Sequence, residues 1–145
     1  LLSTGTGLAP FMSIVRDPET YEKFDKIILT HTVRHQKELA YHDMLQNLNN
    51  DETYSEVTKG KFIYFNTVTR DEWPRKGRIT KWIEENKLWN EIEVDMFDPK
   101  QDRVMICGSE DMTNELKNMF EKLGSEEGST KVQGGFVIEK AFAEK

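Results

Sequence analysis

The sequence is 145 residues long, 37% hydrophobic and 32% charged, with a net charge of −6 at pH 7. That length and apolar content supply one compact domain with a real core, and the acidic balance sets nucleic acid aside as the main partner. The single cysteine, Cys107, excludes an intrachain disulfide framework and points to a reducing, cytoplasmic compartment, and no apolar run approaches a membrane span.

Leu1 to Ser3 read as the end of a buried strand. Such strands usually have about five residues, so further residues are expected upstream. Gly5 and Gly7 make a tight turn, and Ala9 to Arg16 reads as a short helix with Pro10 where its missing N–H costs nothing. A strand, a glycine turn and a helix N-terminus form an anion site, because backbone N–H groups and the helix dipole both favour a phosphate there. Asp17-Pro18 stops the helix.

Lys26 to Val33 is apolar and β-branched, the pattern of a strand buried on both faces. His35 to Asn50 reads as one helix with Leu39, Leu45 and Leu48 inward. Lys61 to Val68 is the next strand, and Thr69 to Gly77 a polar loop rich in Arg and Lys. Thr80 begins a helix to about Asn86, and Lys87 to Asp102 reads as an irregular connection. Arg103 to Cys107 is another buried strand. Glu110 to Leu123 is the strongest helix, capped by Ser109 and stopped by Gly124. Phe136 to Phe142 is a final strand.

Alternating strands and helices predict an α/β fold, a Rossmann-like open parallel sheet of about five strands with helices on both faces. Right-handed crossovers bring the strand C-ends to one edge, where ligands bind. Gly5 to Gly7, Arg34, Thr69-Arg70 and Gly108-Ser109 should therefore face one crevice.

The turn reads GTGLAP, with Pro10 where the dinucleotide fingerprint has its third glycine. By itself it fits an ordinary strand-to-helix turn as well as a nucleotide site. Arg34, Arg70 and Arg78 change that balance. A 2′-phosphate is dianionic and takes charged, bidentate donors. Arg34 also stands where NAD-specific folds place an acidic residue on the ribose, so NADP is favoured over NAD. Tyr41 either packs in the second helix or touches adenine or ribose; spacing leaves both open. Cys107 has no His–Asp partners arranged for thiol catalysis, which leaves a small buried side chain or a position flanking the reactive ring. His31, His35 and His42 lack zinc spacing, and no metal is expected.

Six segments, STGTGLAPF from Ser3, VRHQKELAY from Val33, TVTRDEW from Thr67, KGRIT from Lys76, MICGSEDM from Met105 and the terminal FVIEKAFAEK, together resemble bacterial ferredoxin–NADP(+) reductases. The likeness runs over essentially the whole chain in the family's order. It implies an oxidoreductase that exchanges hydride between NADP(H) and FAD, and single electrons with ferredoxin or flavodoxin. It places Thr4, Gly5, Thr6 and Gly7 under the pyrophosphate and nicotinamide, and Arg34, Arg70 and Arg78 on the 2′-phosphate. It also implies that Cys107 and Gly108 lie beside the nicotinamide, with Ser109 next to them in the cofactor site. By the same likeness Ala141 would face the isoalloxazine ring, Phe142 would stack on the flavin adenine, and Glu144 would serve in proton supply. The family's N-terminal FAD-binding β-barrel is not in this chain, so residues 1–145 should be an NADP(H)-binding module, monomeric and inactive alone. The alternatives are the reductase domain of an oxygenase or flavohaemoprotein, and a non-catalytic NADP-binding module.

Overall fold

The computed structural model describes residues 1–128 and 134–139. Its five strands form one all-parallel sheet in the order β3-β2-β1-β4-β5. The longest are β2 (Ile27–Val33) and β3 (Phe62–Val68), paired over seven positions from Ile27 opposite Phe62 to Val33 opposite Val68. Both are rich in β-branched and aromatic residues, which suit a pleat covered on two sides. Between β2 and β4 (Val104–Cys107) lies the short central β1 (Leu2–Thr4), and β5 (Phe136–Glu139) closes the far edge.

Side chains alternate across the pleat, and each face has its own core. The first face carries α1 (Ala9–Val15), α2 (Pro18–Lys23), α3 (His42–Gln46) and α4 (Ser55–Thr58). Phe11, Val15, Tyr21, Leu45 and Leu48 pack there against Leu29 and Phe62. On the second face are α5 (Ile79–Glu84), α6 (Lys87–Glu91) and α7 (Glu110–Lys122), whose Ile79, Ile83, Leu88, Leu116 and Phe120 cover Phe65 and Ile106. Burying one such side chain stabilises the fold by about 1.5–3 kcal/mol, so two filled faces hold a sheet whose central strand has only three residues.

The single helix expected from His35 to Asn50 is broken. A 3₁₀ turn (Gln36–Glu38) precedes α3 and another (Leu48–Asn50) follows it, and Tyr41 between them adopts a left-handed φ of 58°. The cause is packing. Leu39 joins Val33 and Val68 in a small separate cluster, while Leu45 and Leu48 enter the first core. No straight helix puts residues six apart on one stripe. Pro18 does more than stop α1: it opens α2, where Asp17 accepts a hydrogen bond from the Glu19 N–H at 3.0 Å. The connection expected to be irregular from Lys87 contains α6. α7 begins as expected, with the Met112 N–H donating to Ser109 Oγ at 3.4 Å, and Gly124 ends it at a φ of 93°. The expected roles of Ala141, Phe142 and Glu144 lie outside the described residues.

Candidate functional site

The strand order reverses direction at β1: one connection runs outward to β2 and β3, the other to β4 and β5. Such a reversal opens a crevice at the carboxyl ends of the strands. A cleft of about 500 Å³ lies there. Thr4, Gly5 and Thr6 from the first turn form one wall, and Gly108 and Ser109 after β4 another. Arg34, Thr69, Arg70 and Arg78 close the third side. A second cleft, of about 480 Å³, includes Leu1, Lys26 and Arg103, at the opposite, amino ends of the strands.

Two glycines let the β1 and β4 loops meet. A Cβ on Gly7 would run into the Cys107 carbonyl group, and one on Gly108 into the Thr4 side chain. Close contact leaves Thr4 Oγ1 3.0 Å from the Ser109 N–H, which donates to it across the crevice. Gly5 serves differently: its φ is +51° and nothing lies near its missing Cβ. The expected tight turn is a 3₁₀ segment (Gly5–Leu8) feeding directly into α1.

Beneath that turn sits His31, fully buried in β2. Its Nε2–H donates to the Gly5 carbonyl at 2.8 Å, which fixes the neutral tautomer, because a carbonyl only accepts. Burial pushes its pKa down, against the Gly5 hydrogen bond and the Glu38 charge, which raise it. The histidine is thus a structural support for the turn. Among the described residues no cluster of His, Cys, Asp or Glu is arranged to hold a metal.

The arginines reach the cleft from three places. Arg34 directly follows β2, Arg70 lies two residues beyond β3, and Arg78 is the N-cap of α5. Arg34 and Arg70 have no carboxylate partner among the described residues, whereas Arg78 Nη2 donates to Glu115 Oε1 at 2.9 Å. Glu38 and Asp111 also line the cleft, so its lining carries one net positive charge on a chain of −6. Nearby Arg75 is not part of this set. Its guanidinium lies over the Phe65 ring at 4.9 Å, and its Nε is 3.3 Å from a Glu91 carboxylate oxygen.

Three of the sequence candidates do not line the cleft. Tyr41 is 58% exposed on its left-handed turn and lies outside the lining. Its packing in a second helix is ruled out with that helix. Cys107 is 1% exposed, and its side chain belongs to the first core with Leu8 and Phe11. Gly7 shapes the crevice from behind. The structure adds Thr32, Val33, Glu38, Asp111 and Met112 to the lining. Of these, Glu38 had a signal in the sequence: an acid four residues after Arg34, which its 3₁₀ turn brings back to the strand end.

Residues 1–118 match the oxidoreductase NAD-binding domain family. The chain belongs to that family. Among curated relatives it is 42% identical over 144 residues to ferredoxin–NADP reductase A of Sorangium cellulosum, covering 99% of this chain and 52% of that protein. It is 42% identical over 147 residues to the ferredoxin–NADP reductase of Azotobacter vinelandii, covering 100% of this chain and 57% of that one. The chain thus spans about half the length of these relatives. Its fold superposes on a ferredoxin NADP+ reductase from Neisseria gonorrhoeae, solved with bound FAD and NADP, with a TM-score of 0.83 and 27% identity over 97% of this chain and 55% of that one. A flavohemoglobin from Malassezia yamatoensis shares the fold at a TM-score of 0.65 and 15% identity, covering 97% of this chain and 30% of that one. The overall fold of this NAD-binding domain is thus shared with the Neisseria reductase. Among the described residues no helix is long and apolar enough to cross a membrane.

Proposed function

We propose that this chain is the NADP(H)-binding half of a flavin-dependent ferredoxin or flavodoxin–NADP(+) reductase. The observation that carries the reading is the convergence of Arg34, Arg70 and Arg78 on one cleft at the topological switch point. A dinucleotide laid across such a crevice places its adenosine end beside the loops after β2 and β3. A neutral ribose hydroxyl there needs an acceptor. A dianionic 2′-phosphate needs guanidinium donors, and Arg34 and Arg70 are the residues those loops supply.

The residues present fit the rest of the nucleotide. The wall from Thr4 to Thr6 and the N-terminus of the 13-residue α7, behind Ser109, present backbone N–H groups to a pyrophosphate. Gly108 lets the nicotinamide approach the end of β4 closely. Cys107 contributes its backbone, since its buried side chain cannot meet a reacting ring. The exposed Tyr41 ring is available to cover adenine. When bound, NADPH supplies a hydride to FAD, and this chain binds and orients it. The flavin belongs to an N-terminal β-barrel domain outside the chain. Ala141 and Phe142 are assigned to its ring system, and Glu144 to proton supply, on their place in the terminal sequence. The whole protein is a monomer in the cytoplasm that passes single electrons to a ferredoxin or flavodoxin. The relatives from Sorangium and Azotobacter, named for this reaction, support that assignment.

Binding titrations of NADP+ and NAD+ to the chain test the reading. Arg70→Ala and Arg78→Ala should each weaken NADP+ about tenfold or more, as expected for losing a charged hydrogen bond of about 1.5–3 kcal/mol, and change NAD+ by less than twofold. Equal losses for both nucleotides would overturn it.

A further inference from the structure

β2 and β3 do not separate where the regular strands end. The Thr69 N–H donates to the Val33 carbonyl at 3.0 Å, and the Arg70 N–H to the Arg34 carbonyl at 2.8 Å. The side chain of Asp71 then turns back across the gap. One carboxylate oxygen is 3.0 Å from His35 Nδ1, and the other accepts from the Gln36 N–H at 2.8 Å. Residues 33–36 and 69–71 are therefore stitched together at four successive points.

The stitch joins the two loops that carry Arg34 and Arg70. Continuing the register from Val33 opposite Val68 sets Arg34 opposite Thr69, and the Arg70 N–H reaches the Arg34 carbonyl, so the two arginines are diagonal neighbours whose like charges repel. Past Val33 and Val68, where regular pairing stops, the two loops are held against that repulsion by the Thr69 and Arg70 backbone bonds and by Asp71, through both of its oxygens. It does not line the cleft, so it acts on the ligand only through its neighbours.

We propose that Asp71 is a positioning residue for nucleotide specificity: by latching the β2 and β3 loops through His35 and Gln36, it holds Arg34 and Arg70 at the separation that clamps one phosphate monoester. The inference rests on the 2′-phosphate reading above. A phosphate is compact, so both guanidiniums must converge before it arrives, and a latch that orders them beforehand lowers the ordering cost of binding. The latch leaves the turn and the β4 loop untouched. Its removal therefore weakens contacts to the 2′-phosphate and spares those to the pyrophosphate.

The test is a set of NADP+ and NAD+ titrations on the chain and four variants, with thermal melts in parallel. Asp71→Ala should weaken NADP+ about tenfold and NAD+ less than twofold. His35→Ala, which leaves the Gln36 contact, should weaken NADP+ about threefold. The double variant should match Asp71→Ala alone, because His35 works through that carboxylate. Arg70→Ala separates the two readings. If it loses NADP+ selectivity and Asp71→Ala keeps it, the latch is wrong and the phosphate site stands. If neither moves the NADP+ to NAD+ ratio, the phosphate site itself fails. Additive losses in the double variant, or equal losses on both nucleotides, overturn the latch. Should Asp71→Ala not fold, His35→Ala reads the same latch by itself: a changed ratio supports it and an unchanged ratio overturns it.

Discussion

The two glycines of the GTG turn are required for different reasons, and substitution separates them. At position 7 the backbone angle is ordinary, and the constraint is space. An alanine Cβ would sit 2.8 Å from the Gly108 nitrogen and closer still to the Cys107 carbonyl group. These are backbone atoms of β4 and its loop, so no rotamer change relieves the clash. Normal contact begins near 3.4 Å, so β1 and β4 must part by more than half an ångström where they pair, Ser3 opposite Cys107. Overpacking of this kind costs about 1–3 kcal/mol, and rigid neighbours on both sides place Gly7→Ala at the upper end. At position 5 space is free, and the constraint is a φ of +51°. An alanine there costs about 1–2 kcal/mol, and an asparagine, which tolerates the left-handed region, costs less. For a chain of this size each kcal/mol moves the melting temperature by roughly 3 °C. Gly7→Ala should therefore melt roughly 6–9 °C below the parent, and Gly7→Asn lower again. Gly5→Asn should stay within about 3 °C. Calorimetric melts of the three variants read this directly. A Gly7→Ala protein as stable as the parent, or a Gly5→Asn protein that falls as far as Gly7→Ala, would refute the packing account. Nucleotide binding adds a second readout: Gly7→Ala should weaken NADP+ and NAD+ alike, because the shared crevice opens, unlike the selective loss expected at Arg70.

Two further outcomes follow from charge. His31 is held below its ordinary pKa by burial, so the unfolded chain takes up a proton near pH 6.5 that the folded chain refuses. Stability should fall as pH drops below about 6.5, until the folded imidazole also titrates. His31→Gln, which keeps an N–H for the Gly5 carbonyl, should flatten that slope in urea titrations; a parent and variant with the same pH profile would exclude His31 as its source. Glu115 pairs with Arg78 and, on the proposed 2′-phosphate reading, competes with an incoming phosphate. Both groups are well exposed, and such pairs contribute at most about 1 kcal/mol, so Glu115→Gln should tighten NADP+ two- to threefold at low salt and leave NAD+ unchanged. Weaker NADP+ binding in that variant would mean that Glu115 orients Arg78.

The strands and their common edge were legible because each depends on a local pattern. Apolar β-branched runs located β2, β3 and β4, and the rule that ligands sit beyond strand C-ends led to Arg34, Arg70, Gly108 and Ser109, all of which line the cleft. What was not legible depends on contacts between distant residues. Leu39, Leu45 and Leu48 read as the apolar side of one helix, although six residues do not bring Leu39 and Leu45 onto one stripe; they serve two separate clusters, and the placement of Val33 and Val68 shows why the chain turns at Tyr41. Arg75 and Arg78 are three residues apart; the first lies over the Phe65 ring on the core side while the second caps α5 at the cleft. Cys107 falls beside the crevice in sequence, but the pleat turns its side chain into the core with Leu8 and Phe11. His31 supports the glycine turn from a strand twenty-six residues away. In each case the residue type was right for a site and its neighbours decided the role. On the proposed 2′-phosphate reading the arginines alone mark an anion site, and the latch from Asp71 to His35 and Gln36 makes two separate guanidiniums a clamp for one phosphate.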